Sequence, residues 1–536
     1  LAVIAGHPKM IWRRRSSGQT VHTECGEISM NIRRSFVCAL IALSCIIVLP
    51  AAASTFLDVG DDVYPLLSRL EAEGVITSGL LDTRPISRTE AVRLLREAEQ
   101  QSKSRSPFVQ SLVHELEQRL EGGGQGEGQR FLDTVYAKYI WTSAPVIPLS
   151  YPGAAVEKEQ AFNENNAGDL YERGSNYRIG LTSRLEDVGN FSLYLNPELR
   201  GADGQQQGVL RTGYAVLGFS WIDIVAGKDS QWWGPGQHGA LLLSNNAEPP
   251  EMIKLTAPVP QHLPWIFKYL GPFQYDVFVS RLEKDRSDFP EPYLWGLRFD
   301  FKPHPAIEIG LERTGMLGGT GRPTTLHTWA DSIFGAHEHL LDPNQEVGDQ
   351  IGGYDAKLTL PFEMQPLQLY WEQGGEDSRQ RTGHLPYKKA NLYGLYLPRL
   401  GSVERLSLRA EYATDYVRDQ PYVWYTHGVY TAGYTHDGMV MGHHMGTDAQ
   451  DAFVELSLLI PEHRANLSLS FDRERHGLAG PVCERTDELV VKGDTYLSDH
   501  LQVKASGGVG WVKNPGNLPA PSLYPKELTT ELRYIF

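Results

Sequence analysis

From about residue 131 to the end of the chain, apolar and polar positions alternate with a period of two. The last ten residues carry the pattern most clearly. Leu528, Thr530, Leu532, Tyr534 and Phe536 share one face; Glu527, Thr529, Glu531, Arg533 and Ile535 share the other. The same alternation sets Leu406, Leu408, Ala410 and Tyr412 against Arg405, Ser407, Arg409 and Glu411. It sets Trp295, Leu297, Phe299 and Phe301 against Gly296, Arg298 and Asp300, and Ile307, Ile309 and Leu311 against Glu308, Gly310 and Glu312. Val454 to Ile460 and Leu467 to Phe471 repeat it on either side of a connection at Pro461–Arg464. A period of two is that of a strand with one apolar face.

A soluble antiparallel sandwich also alternates. Three features favour a transmembrane antiparallel β-barrel instead. The strands run about nine to eleven residues with aromatic ends, the length that crosses a bilayer. An export leader precedes them. The chain ends on Phe536 inside a strand, and Leu532, Tyr534 and Phe536 together resemble the signal read by the outer-membrane barrel assembly machinery. Strands in lipid must close on themselves, because an open edge leaves amides unpaired in hydrocarbon. Residues 131–536 have room for about 16 to 18 such strands.

The amino-terminal part obeys other rules. Met30 opens a leader: Arg33 and Arg34, the apolar run Phe36–Leu49, then Pro50-Ala51-Ala52-Ala53. The run is too short to span a bilayer comfortably, and cleavage is expected after Ala53. Residues 1–29 read as an upstream extension. Residues 54–121 read as helices forming a small periplasmic bundle. Ser87-Arg88-Thr89-Glu90 is a capping box, and Pro107 opens the next helix, with Val109, Leu112, Val113, Leu116 and Leu120 on one stripe. Phe56 to Ala91 also resembles a single S-layer-homology repeat, which would imply wall docking, although such modules usually come in several copies. Residues 122–130, with Gly122-Gly123-Gly124-Gln125-Gly126-Glu127-Gly128, are a flexible linker to the barrel at 131–536.

Composition narrows the function. The 536 residues include 50 basic and 65 acidic, a formal charge of -15. That sign excludes a general nucleic-acid binder. The leader carries Lys9, Arg13, Arg14, Arg15, Arg33 and Arg34 against Glu24 and Glu27, so its removal makes the chain more acidic still. It also removes Cys25, Cys38 and Cys45, leaving Cys483 without an internal disulfide partner.

Two stretches go beyond patterning. One is Ala226-Gly227-Lys228-Asp229-Ser230-Gln231-Trp232-Trp233-Gly234-Pro235-Gly236-Gln237-His238-Gly239, continuing through Leu241-Leu242-Leu243-Ser244-Asn245-Asn246-Ala247. The other is Tyr425-Thr426-His427-Gly428-Val429-Tyr430-Thr431-Ala432-Gly433-Tyr434-Thr435, with Gly438, Gly442-His443 and Gly446-Thr447-Asp448-Ala449. Both resemble the capsule-assembly outer-membrane proteins of the Wzi family, as do the segments Asn344–Asp355 and Gly374–Asp377. The resemblance covers most of the chain after the leader. It implies an 18-stranded barrel in the bacterial outer membrane, an occluded lumen and a periplasmic helical bundle. It also implies a non-enzymatic lectin that holds exported capsular or extracellular polysaccharide at the surface.

On that reading, Trp232 and Trp233 offer faces for sugar stacking, beside a turn forced by Gly234-Pro235-Gly236. A structural turn packed in the lumen is the competing account. His238, Asn245 and Asn246 are further glycan candidates, although strand-end asparagines usually bond backbone. An acidic protein holding an acidic polymer needs local cations. The loops expected at Arg281–Tyr293, Gly315–Gly353, Gln373–Lys388 and Gly477–Glu488 offer Arg281, Lys284, Arg286, Arg322, Arg379, Arg381 and Lys388. His427, His436, His443 and His444 with Asp437 and Asp448 fit no tight metal motif, so no metal or other cofactor is expected. No Gly-x-Ser-x-Gly elbow occurs. A paired-carboxylate glycosidase is not decided by sequence, since its pair is defined in space. The strongest alternative is an outer-membrane solute channel. The expected partners are polysaccharide, outer-membrane lipid and the assembly machinery, with the protein monomeric.

Overall fold

The computed structural model describes residues 52–121, 129–151, 157–202, 204–334, 348–378 and 386–536. Met30–Ala51 of the expected leader, the Gly122–Gly128 linker, Arg379 and Arg381 lie outside the described residues.

Eighteen strands, each antiparallel to its neighbours, close into a barrel. They are β1 (Gln129–Thr142), β2 (Gly174–Val188), β3 (Phe191–Ala202), β4 (Gln205–Gly218), β5 (Asp223–Lys228), β6 (Glu251–Thr256), β7 (Pro272–Arg281), β8 (Tyr293–His304) and β9 (Ile307–Leu317). The second half comprises β10 (Gly348–Leu360), β11 (Leu367–Ser378), β12 (Pro386–Leu397), β13 (Leu406–Thr414), β14 (Gln450–Ile460), β15 (Ala465–His476), β16 (Glu484–Tyr496), β17 (Leu501–Lys513) and β18 (Lys526–Ile535). The seam is β1 against β18, with Thr134 opposite Ile535 and Trp141 opposite Leu528. No edge is left in lipid.

The wall is inside-out. Leu528, Leu532, Tyr534 and Phe536 are about half exposed, and so are Leu467, Leu469, Leu489 and Val491. Alternating with the outward Leu297, Phe299 and Phe301 of β8 are Arg298, Asp300 and Lys302, all buried in the interior. Apolar side chains are stable facing outward only if the surroundings are hydrocarbon. Most connections at one end are short turns (189–190, 219–222, 305–306, 461–464, 497–500) and most at the other are longer, which sets the first end in the periplasm. An aromatic turn, Trp265–Leu270, flanks the apolar band at the periplasmic rim, with Trp265 and Tyr269 about three-quarters exposed.

Three helices precede the barrel: α1 (Val63–Ala72), α2 (Arg88–Gln101) and α3 (Pro107–Glu121). They share a core of Leu67, Leu70, Leu94, Leu95, Leu112 and Leu116, each side chain stabilising the unit by about 1.5–3 kcal/mol. The Ser87 cap forms as expected, accepting from the Glu90 amide at 3.0 Å. Glu90 does not close the box; its carboxylate pairs with Arg93 at 2.6 Å instead. The helical unit sits inside the wall, joined to it by ion pairs. Asp62 meets Lys504 of β17 at 2.5 Å, and Glu71 meets Lys302 of β8 at 2.6 Å and Lys357 of β10 at 3.0 Å.

Candidate functional site

The outer half of the lumen is filled by two inward-folded segments, residues 229–250 between β5 and β6 and residues 415–449 between β13 and β14, and by residues 157–171 between β1 and β2, whose Ala167 amide donates to Asn245 O at 2.8 Å. The first carries the Trp-Trp-Gly-Pro-Gly run. Trp232 and Trp233 pair antiparallel with Arg84 and Thr83, which joins this segment to the helical unit in the middle of the barrel. Trp233 is fully buried edge-on against Phe278, and the Trp232 indole donates to Gly236 O at 3.0 Å. Gly234 adopts φ 125°, and a Cβ there would sit 2.5 Å from the Glu372 carboxylate. The chain can therefore turn against the wall only with glycine at this position.

Lumen-facing carboxylates hold the segment. Glu372 accepts from the Leu241 amide at 2.7 Å, and Glu411 accepts from the amides of Gln237 and His238 at 2.9 and 3.0 Å. Below them Arg298 is fully buried between Asp300, Glu312 and Asp355, each at 2.7 Å. The 415–449 segment stacks on top. Tyr425 donates to Leu241 O at 2.6 Å and accepts from the His443 amide at 3.0 Å, and Asn246 donates to Val440 O at 3.0 Å. Asn245 donates to Asn165 O at 3.2 Å and lines a cavity of about 730 Å³ that reaches between the helical unit and the wall.

His238, His443, His444 and His476 gather beneath the outer loops with Asp451, Asp472, Glu474, Glu159 and Glu484. Burial pulls the His444 imidazole down, but Glu474 at 2.6 Å outweighs burial and lifts it to about 9. His443 goes the other way: burial, then the charge of His444, hold it well below the usual histidine range.

The profile of the family described as "Capsule assembly protein Wzi" matches residues 148–519. The chain belongs to that family. An uncharacterised 55.8 kDa protein encoded in the cps region of Klebsiella pneumoniae is 26% identical over 351 residues, covering 64% of this chain and 60% of the relative. The chain thus spans about three-fifths of that relative's length. The solved structure of Wzi, an outer-membrane protein involved in group 1 capsule assembly in Escherichia coli and described as a carbohydrate-binding β-barrel, superposes with a TM-score of 0.68. It covers 91% of this chain and 99% of that one at 20% identity, which establishes the shared fold. The protein is accordingly an outer-membrane barrel of the Wzi capsule assembly family.

Against this frame the sequence-selected residues divide. Trp232, Trp233 and Asn246 are buried in plug contacts and present no open face, and Asn245 is held in the wall of an inner cavity. His238 stacks on Phe453 at 3.8 Å under the loops. Arg286 is not a surface cation: its side chain is fully buried, pairs with Asp288 at 2.8 Å and donates to Thr435 O at 2.7 Å. It fastens the 282–292 loop to the inward segment, a role its sequence neighbourhood does not distinguish from a solvated loop charge. Arg281 and Lys284 do face solvent, with side chains 56% and 85% exposed, both near Glu291. Arg322 lies over the rings of Phe289 and Tyr430 at 5.0 and 5.1 Å, and Lys388 sits at the start of β12, where its carbonyl accepts from the Trp424 indole at 2.7 Å.

The expected loops are also narrower in the structure. Gly315–Leu317, Gly348–Gly353 and Gln373–Ser378 continue β9, β10 and β11, because backbone pairing extends above the apolar band. Missed altogether were the helix Leu326–Phe334, whose Ser332 accepts from the outward Trp295 indole at 2.9 Å, and the meeting of the histidines with the ends of β14 and β15.

Proposed function

We propose that this protein is a surface lectin, binding exported capsular or extracellular polysaccharide through its outer loops and holding the polymer on the cell. The observation that carries the reading is the filled lumen. A helical unit occupies one mouth, beside a cavity of about 730 Å³, and inward segments pack the other half, so among the described residues the outer rim offers the surface for a macromolecular ligand. Family membership and the carbohydrate-binding description of the structural relative support the same reading.

With a formal charge of -15, an acidic polymer is repelled until it lies within about 8–10 Å of positive groups. Arg281, Lys284, Arg322 and Lys388 occupy that rim, and Arg379 and Arg381 belong to the connecting segment between β11 and β12. Reversing Arg281, Lys284, Arg322 and Lys388 to glutamate together weakens binding of the strain's own purified polysaccharide by about tenfold or more, equal to about 1.4 kcal/mol. The barrel keeps its heat-modifiable gel mobility. Undiminished binding by a folded variant rejects this surface. Large, steady ion conductance in planar bilayers argues instead for a solute channel.

A further inference from the structure

Below the outer loops His238, His444 and Asp451 hold donor atoms within 4.8 Å of one another, and Asp472 adjoins them, its Oδ2 lying 3.2 Å from His238 Nε2. His238 comes from the first inward segment, His444 from the second, Asp451 from the start of β14 and Asp472 from the end of β15. We propose that these residues form a binding site for a divalent transition metal of the zinc class, which staples both plug segments to the barrel wall.

Chemistry and spacing carry the proposal. Two imidazoles with two carboxylates are a zinc-type donor set, whereas calcium and magnesium take oxygen alone. His238 Nε2 lies 3.2 Å from Asp472 Oδ2 and 3.6 Å from Asp451 Oδ2; His444 Nε2 lies 3.8 Å from the same Asp451 oxygen. Bonds of about 2.0–2.1 Å in a tetrahedron put ligand atoms about 3.3 Å apart, so each of these three separations is within about 0.5 Å of what a bound ion requires. Most of these separations are too long for hydrogen bonds. His238 Nε2, Asp451 Oδ1 and Asp472 Oδ1 are buried with no hydrogen-bond partner, and Asp451 and Asp472 are both more than nine-tenths buried. Unpaired buried polar atoms of this kind are costly unless something satisfies them. Among the described residues, the ion-pair partners of Asp451 and Asp472 are imidazoles alone, with no lysine or arginine.

The surrounding residues orient the donors. Glu474 holds His444 Nδ1 at 2.6 Å and is itself 3.4 Å from His476 Nε2, which points His444 Nε2 into the cluster. A carboxylate behind a ligating histidine is the usual arrangement in zinc sites. His443 is excluded as a ligand: its Nδ1 accepts from the Met445 amide at 3.3 Å, which leaves the proton on Nε2. The rival arrangement is a purely hydrogen-bonded one, in which a doubly protonated His444 bridges Glu474 and the His238 carbonyl oxygen, 3.0 Å from Nε2.

The test uses the full-length barrel in detergent, stripped with a chelator and desalted. Titration with zinc gives one tight equivalent per chain and a raised melting temperature, and cobalt gives the visible bands of a tetrahedral centre. Asp472→Asn and the pair His238→Ala with Asp451→Asn lose the equivalent and the melting shift. Glu474→Gln keeps the site but weakens it by about 10–100-fold. His427→Ala, away from the cluster, binds as the parent does, and calcium does not compete. Heat-modifiable mobility confirms that each variant is folded; the single Asp472→Asn variant decides the matter should the pair fail to fold. Absence of zinc binding by the parent protein, or unchanged binding by folded Asp472→Asn, overturns the proposal in favour of the hydrogen-bonded arrangement.

Discussion

At the scale of single residues, buried ion pairs fasten the helical unit to the wall, alongside the apolar clusters. Glu71 is an instructive case because it reaches from α1 to two lysines of the wall. Burial pushes its carboxyl up, but Lys302 and Lys357 outweigh burial and hold it at about 2, below the ordinary 4.5. A carboxylate held down in the fold stabilises that fold where it is ionised. Its contribution is complete above the ordinary glutamate range and disappears as pH falls through about 2. Glu71→Ala leaves Lys302 and Lys357 with Glu308 and Asp82 as their remaining carboxylate partners, which costs about 1–3 kcal/mol. Melting temperatures of parent and variant in detergent therefore differ at pH 7 and converge toward pH 2. Equal values at pH 7 contradict this role.

At the scale of elements, the strands were legible in the sequence because lipid imposes a simple rule on every second side chain. Leu528 to Phe536 and Leu467 to Phe471 point outward as their alternation required. The Ser87 cap and the Pro107 helix start were legible too, since both are local. What was hidden is how the inside is assembled. Thr83–Arg84 pairs with Trp232–Trp233, and Arg286 anchors to Gly433 and Thr435, through contacts between residues about 150 positions apart. Polar lumen residues share one pattern whether they meet water, a plug or each other, so the pattern does not say which of them touch. The sealing strand gives a prediction at this scale. β18 pairs with β17 and β1 along its length, and Phe536 donates its amide to Asp133 O at 3.0 Å. We propose Leu532, Tyr534 and Phe536 as the assembly signal. Removing Phe536 should lower the folded fraction in outer membranes while total synthesis stays constant; an unchanged folded fraction contradicts it.

At the scale of the whole molecule, the proposed function takes the outer rim as the working surface, because the wall is apolar outward and the described lumen is largely packed. On the proposed reading, the acidic balance of the chain makes that rim selective, since an acidic polymer is attracted only near exposed cations such as Arg281 and Lys284 and is repelled elsewhere. Such a protein is expected to govern where polymer resides, not how much is made. The most direct measurement is therefore polysaccharide fractionation in a strain lacking this protein, with cell-attached, shed and total polymer quantified side by side. A lectin at the rim predicts that attached polymer falls and shed polymer rises while the total is preserved. Unchanged attachment, accompanied by altered uptake of small solutes, contradicts it.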